Sequence, residues 1–214
     1  MGGIYSVLSK KGGPGKSTIS RALGVALAQN EWDVKIADFD LDQMTTTNWA
    51  RRRLKNGHKP EVAAEVFGSL PKALRQAGDY DALIIDGTPA ASTLTAEIAL
   101  VSDLVILPTG LCLDDLQPTV ELAETLHTKH GVPAERIVFA LNHAGDSTAE
   151  LSDAQVYLGK TRFALMEGPV QQKVSYSRAH DLGLSIIEAQ AKGPREKAEL
   201  LIQSIVNRIN ELTK

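Results

Sequence analysis

Cysteine is almost absent: the 214 residues include one, Cys112. A single thiol excludes a disulfide framework, a cysteine-rich zinc site and an iron–sulfur cluster ligated within one chain. Long hydrophobic runs are missing as well. Arg, Lys, Asp or Glu interrupts every apolar stretch before it nears the ~18 residues that a membrane helix needs. Neither sign of charge dominates, with 23 Lys and Arg against 26 Asp and Glu and a formal net charge of −3. That balance argues against a protein that coats nucleic acid by bulk charge. No basic-then-apolar leader opens the sequence. What remains is a globular chain, expected in the cytoplasm and long enough to bury a sizeable core as one domain over residues 1–214.

What is present alternates. Short β-branched runs at Ile4–Ser9, Val34–Asp38, Val62–Phe67, Ala82–Asp86, Leu104–Leu107 and Ile137–Leu141 read as strands. Helical spacing falls between them at Lys16–Asn30, Thr45–Leu54, Leu70–Ala77 and Asp115–His130, with a last apolar-faced helix over Arg195–Leu212. The wholly apolar strands call for cover on both faces. The expected fold is therefore α/β, a single doubly wound domain with a mostly parallel sheet flanked by helices. The first six residues also match the myristoylation pattern M-G-x-x-x-[ST]. A buried first strand is the better reading, because a nucleotide-binding unit follows at once.

That unit is Lys10-Lys11-Gly12-Gly13-Pro14-Gly15-Lys16-Ser17-Thr18, between the first strand and the first helix. Glycines let the backbone curl with its N–H groups inward, and no Cβ blocks a polyphosphate. The following helix aims its N-terminal N–H groups at the same point. In such a loop the lysine, here Lys16, reaches the β- and γ-phosphates, and the Ser17 hydroxyl coordinates Mg²⁺. The strict G-x-x-x-x-G-K-[ST] pattern fails, since its first glycine falls on Lys10. The variant K-G-G-x-G-K-[ST] fits, with Lys11 as an extra lysine.

With this loop the chain resembles the deviant Walker A ATPases of the ParA/MinD superfamily, which position plasmids, chromosomes and other cargo in bacteria. The resemblance implies a P-loop ATPase using ATP and Mg²⁺, with residues 12–18 on the phosphates. It also implies that Lys11 reaches across a nucleotide-sandwich homodimer to the partner's phosphates, where a second cation stabilises developing charge. Asp38-Phe39-Asp40-Leu41-Asp42-Gln43 resembles the family's D-x-D-P-Q segment without its proline. Asp40 is then the candidate for orienting or activating the attacking water, and Asp42 an alternative one register away. Leu83-Ile84-Ile85-Asp86-Gly87-Thr88-Pro89 resembles a Walker B strand running into a switch loop. There Asp86 would hold Mg²⁺ through a water, with Gly87 and Thr88 meeting the γ-phosphate through backbone N–H groups. Asn142 falls where the superfamily places an adenine-contacting Asn. Asp103, at a strand start, reads as a structural cap, Cys112 as packing, and His127, His130, His143 and His180 as surface or loop residues.

Three roles are compatible with such a core. A partition ATPase dimerises on ATP, binds DNA without sequence preference and hydrolyses ATP when a ParB-like adaptor on the cargo stimulates it. A MinD-like membrane-positioning ATPase docks through a basic amphipathic tail. A biosynthetic ligase can use the same fold. Residues 195–214 carry four basic and three acidic residues and no aromatic one, so no membrane partner is expected. Residues 160–214 hold nine basic and six acidic residues, whereas 1–159 hold 14 and 20. Lys160, Arg162, Lys173, Arg178, Lys192, Arg195 and Lys197 form one candidate phosphate-contacting face, and Arg51-Arg52-Arg53 with Lys55 another. The chain is most similar to the small, ParF-like partition proteins that lack an N-terminal helix-turn-helix domain. The expected location is the nucleoid.

Overall fold

Successive residues of a strand point to opposite faces, and here both faces are apolar. In a computed structural model, which describes residues 2–13, 15–89, 93–145 and 147–213, this alternation sorts the strands into two cores. Tyr5, Val7, Ile36, Ile84, Leu104, Ile106 and Val138 face one core, while Ile4, Leu8, Leu83, Ile85, Val105, Leu107 and Phe139 face the other.

The strands are β1 (Gly3–Ser9), β2 (Val34–Asp38), β3 (Ala63–Val66), β4 (Ala82–Pro89), β5 (Leu104–Thr109), β6 (Ile137–Leu141) and β7 (Ala164–Leu165). The helices are α1 (Lys16–Gln29), α2 (Thr45–Lys55), α3 (Leu70–Leu74), α4 (Thr93–Val101), α5 (Leu113–Thr128), α6 (Thr148–Gly159), α7 (Val174–Asp181) and α8 (Lys192–Leu212). One sheet takes the order β3-β2-β4-β1-β5-β6-β7, and all its pairings are parallel. Helices α1, α2, α7 and α8 cover the first face, and α3 to α6 the second. The expected doubly wound α/β fold is thus found, with a sheet parallel throughout. From β1 the chain runs out through β2 to β3, then returns to insert β4 beside β1. A crevice opens at the carboxyl ends of the strands near such a reversal, and there α/β sheets bind ligands.

Several elements differ from the reading of the sequence. Helix α3 stops at Leu74 and gives way to a 3₁₀ turn, Ala77–Asp79. Helices α4 and α6 carry no strong apolar period, and α7 is only eight residues long. Among the described residues α7 buries only Tyr176 and Ala179, and α6 only Ala154 and Leu158. Such short helices are held by tertiary packing rather than by their own propensity. Strand β4 runs on to Pro89, so Gly87 and Thr88 lie in the strand and not in a loop. A Cβ on Gly87 would come within 2.6 Å of the Leu8 side chain, so the glycine permits that close pairing. The long α8 buries Ala198, Leu201, Ile202, Ile205 and Ile209.

Candidate nucleotide site

Strand β1 delivers the glycine-rich loop to the carboxyl edge of the sheet, between β4 and β5. Gly13 and Gly15 adopt left-handed conformations, φ +89° and +98°, that side-chain-bearing residues rarely take. Gly15 is also the N-cap of α1 and leaves that cap without a side-chain hydrogen bond. Its carbonyl accepts from Ile19, the first residue of the helix whose N–H is satisfied internally. The N–H groups of Lys16, Ser17 and Thr18 therefore have no acceptor within the helix, the arrangement that binds anions. Gly12 stands exposed in the same curl. Pro14, assigned to the loop by sequence, lies outside the described residues.

Lys16 is 8% exposed, and its Nζ folds back to the carbonyl of Lys11 at 3.4 Å. Burial pushes its pKa down, opposed by the charges of Asp86 and then Asp40. That coupling puts Asp40 within electrostatic reach of the lysine. The Asp40 carboxylate accepts from Gln43 N at 3.0 Å, closing the loop after β2, while Asp42 stands exposed at its tip.

Asp86, 2% exposed, ends the apolar part of β4. Its Oδ2 accepts from Thr46 Oγ1 at 2.6 Å, and its Oδ1 is buried with no hydrogen-bond partner among the described residues. Burial raises its pKa, with the Thr46 and Ser17 hydroxyls and Arg21 pulling it down and Asp38 pushing it further up. A buried carboxylate with an empty oxygen is costly unless something cationic completes it. The residues present therefore fit a hydrated divalent ion. Ser17, whose hydroxyl lies 3.3 Å from that of Thr45, and Asp86 would hold it, and the loop N–H groups with Lys16 would hold a polyphosphate. The ion would supply charge neutralisation at the phosphates.

Two supports escaped the sequence reading. Asp38, fully buried, accepts from Thr46 N and Thr47 N, each at 3.0 Å, and so pins the start of α2 to the end of β2. Thr46 then links Asp86 to Arg21, whose Nε donates to it at 3.2 Å. The first Asp of the D-x-D segment and the Thr45-Thr46-Thr47 run were the available signals.

The structure also places the other positions singled out in the sequence. Asn142 is 1% exposed and lies against the loop from beneath, its Nδ2 only 1.6 Å from where a Cβ on Gly15 would sit. The covered amide packs against the loop. Arg53 is 1% exposed, not part of a basic surface, and forks onto Glu188 with two bonds of 2.9 Å. Arg52 donates to the carbonyl of His180. His180 belongs to helix α7 with a buried Nε2, and its pKa falls to about 4 through burial and the charges of Arg21 and Arg52. Cys112 is exposed rather than packed, 3.3 Å from Asp115 Oδ2. Lys11 is bent back onto the start of α5, bonding the carbonyl of Asp114 and lying 3.3 Å from Asp115 Oδ1. Asp103 does cap, accepting from Ile4 N at 2.9 Å.

Within the basic C-terminal group, Arg162 pairs with Glu124, Lys192 with Glu196 and Arg195 with Glu199, while Lys197 bonds Gln171. Lys160 and Arg178 are exposed. Exposed pairs of this kind are worth only about 0–1 kcal/mol, so they exchange readily for phosphate contacts. No described helix is long and apolar enough to cross a membrane.

Parallel sheet, glycine curl at a helix start and buried strand-end carboxylate together define a P-loop nucleotide-binding protein. Residues 5–211 match the family model of the CobQ/CobB/MinD/ParA nucleotide-binding domain, and the chain belongs to that family. It is 29% identical over 201 residues to maintenance of carboxysome distribution protein A of Gloeobacter kilaueensis, covering 90% of this chain and 88% of the relative. It is 25% identical over 225 residues to protein ParA of Rhizobium radiobacter, covering 97% and 98%. The solved septum site-determining protein MinD of Pyrococcus horikoshii, complexed with Mg-ADP, shares the fold with a TM-score of 0.74 at 20% identity, covering 100% of this chain and 98% of that one.

Proposed function

We propose that this protein is a Mg²⁺-dependent ATPase that positions a cargo, in the manner of a partition ATPase. ATP binding pairs two copies, the pair holds DNA without sequence preference, and an adaptor on the cargo triggers hydrolysis. The observation that carries the nucleotide reading is the meeting of helix N-terminal N–H groups that have no acceptor within α1, and of Lys16, with Asp86, whose buried Oδ1 lacks a partner among the described residues. Both curated relatives named above, from two bacteria, favour a role in distribution or partition. The apolar face of α8 is consumed inside the protein, which leaves no amphipathic anchor there for a membrane.

In this reading Lys16 and the N–H groups of Gly12, Gly13 and residues 15–18 bind the phosphates, Ser17 and Asp86 bind the metal, and Asp40 orients water. Lys11 leaves Asp115 to meet the partner's nucleotide. That exchange is cheap, since Lys11 and Asp115 keep 44% and 39% exposure, and such pairs contribute little. Gel-shift binding to arbitrary duplex DNA, with ATP, with ADP and without nucleotide, tests the role. ATP-dependent binding that Lys16→Ala abolishes is expected. ATP turnover with no DNA binding in any state would refute the partition role and favour a ligase. Absence of ATP binding altogether would refute the site.

A further inference from the structure

The end of the sheet opposite the phosphate loop carries an open cleft of about 1160 Å³ that the nucleotide reading leaves unused. Strand β1 separates the two ends by seven residues, about 20 Å at 3.3 Å per residue. An acid stands at the entry to each strand on either side of β1: Asp33 before β2, Asp81 before β4, Asp103 before β5 and Glu135 shortly before β6. Asp79 adds a fifth carboxylate, and Arg136 is the cleft's one cation among the described lining residues.

Two of these acids have structural work. Asp81 accepts from Asp33 N at 2.8 Å, and Asp103 accepts from Ile4 N. The side chains of Asp33, Asp79 and Glu135 have no hydrogen-bond or ion-pair partner among the described residues. Helix α8 ends at the same cleft with Ile209, Leu212 and Thr213, adding the negative end of its dipole.

The walls are not only acidic. Tyr5, Trp32 and Tyr80 line the cleft, as do Ile209 and Leu212. Tyr5 is 3% exposed, yet its hydroxyl finds no hydrogen-bond partner among the described residues. Its ring lies over Gly3, where a Cβ would come within 2.1 Å of the phenol oxygen. Burial, reinforced by the charge of Asp103, raises its pKa to about 12, so it stays a neutral phenol whose oxygen can accept from an ammonium N–H. No three described His, Cys, Asp or Glu side chains converge closely enough to hold a metal ion. The charge is spread around an aromatic and aliphatic floor, which suits a cation carried on a carbon chain.

We propose that this cleft is a binding site for alkylammonium groups, borne by a free polyamine or by a lysine side chain of a partner protein. The scattered carboxylates neutralise the ammonium, the Tyr5 hydroxyl completes its hydrogen bonding, and Trp32 with the α8 terminus packs on the methylenes. The site is independent of the nucleotide loop.

Titration calorimetry with spermidine, with N-acetyl-lysine methylamide and with MgCl₂ at matched ionic strength tests it. Saturable binding of at least one amine is expected, with no comparable heat from Mg²⁺. Spermidine binding alone identifies the free polyamine as ligand, and comparable binding of the lysine derivative identifies a partner's side chain. The double variant Asp79→Asn/Glu135→Gln removes two exposed carboxylates that bond nothing described, so its thermal midpoint should hold while binding weakens about tenfold. Tyr5→Phe should weaken binding a few-fold, and ATP binding should survive in every variant. Absence of saturable heat from both amines, equal heat from Mg²⁺, or unchanged affinity in the double variant would overturn the proposal.

Discussion

Replacing Arg53 by Met separates a structural arginine from a DNA-contacting one. The guanidinium makes four hydrogen bonds: Nε to Pro60 O at 2.8 Å, one to Gly183 O at 3.2 Å, and two to the Glu188 carboxylate at 2.9 Å each. It also lies 5.6 Å from the centre of the Trp49 ring. Methionine keeps the apolar stem and deletes the fork, leaving Glu188 with only Ser185 N and Oγ, at 2.8 and 2.9 Å. Breaking a buried pair from one side costs about 3–5 kcal/mol, because the remaining charge stays unpaired. Glu188 is 14% exposed, so water relieves part of that cost, and the low end applies. At about 2–4 °C per kcal/mol for a domain of this size, a loss of ~3 kcal/mol lowers the midpoint by ~6–12 °C. Differential scanning calorimetry of the nucleotide-free protein measures it. The double variant Arg53→Met/Glu188→Gln should recover about 1 kcal/mol or more, because the orphaned charge is gone. Arg51→Met, whose exposed guanidinium reaches only Asn48 among the described residues, should leave the midpoint unchanged. A midpoint for Arg53→Met within 2 °C of the wild type, coupled to lost DNA binding, would refute this reasoning and return Arg53 to the basic surface.

Three further outcomes are expected. Asp86→Asn keeps the bond from Thr46 but removes a buried charge whose pKa is raised, so the nucleotide-free protein should melt higher at pH 7. That gain should shrink toward pH 4, and Mg²⁺ should no longer strengthen nucleotide binding in a fluorescence titration. His180 is held neutral, its pKa lowered from 6.5 to about 4, so the unfolded chain binds the extra proton first. Stability should then fall as pH drops through that window, and urea unfolding of His180→Gln should show a shallower fall. Asp40→Ala should bind ATP and accumulate as an ATP-bound dimer on light scattering, whereas normal turnover in that variant would shift the water-orienting role to Asp42.

The legible features were those that depend on local order. Gly13 and Gly15 permit the left-handed backbone that a tight loop requires, and a strand before and a helix after the loop follow from periodicity alone. Two-sided apolar strands such as Leu83–Ile85 required helices on both faces whatever their identity. Helices α4, α6 and α7 were illegible for different reasons: α4 is nine residues with little contrast between its faces, α6 buries only Ala154 and Leu158, and α7 spans just eight residues.

The sequence by itself determined the doubly wound fold and the residues gathered around the phosphate loop, because glycine freedom, helix polarity and apolar alternation act within a few residues. The tertiary structure decided what long-range packing makes of otherwise similar side chains. It turned Arg53 inward onto Glu188, 135 residues away, and left its neighbour Arg51 in solvent. It laid Asn142 beneath Gly15, folded Lys11 onto the start of α5, and brought the acids at the entries of four strands around one cleft. Each of those outcomes depends on which strands lie side by side, and no window of sequence contains that order.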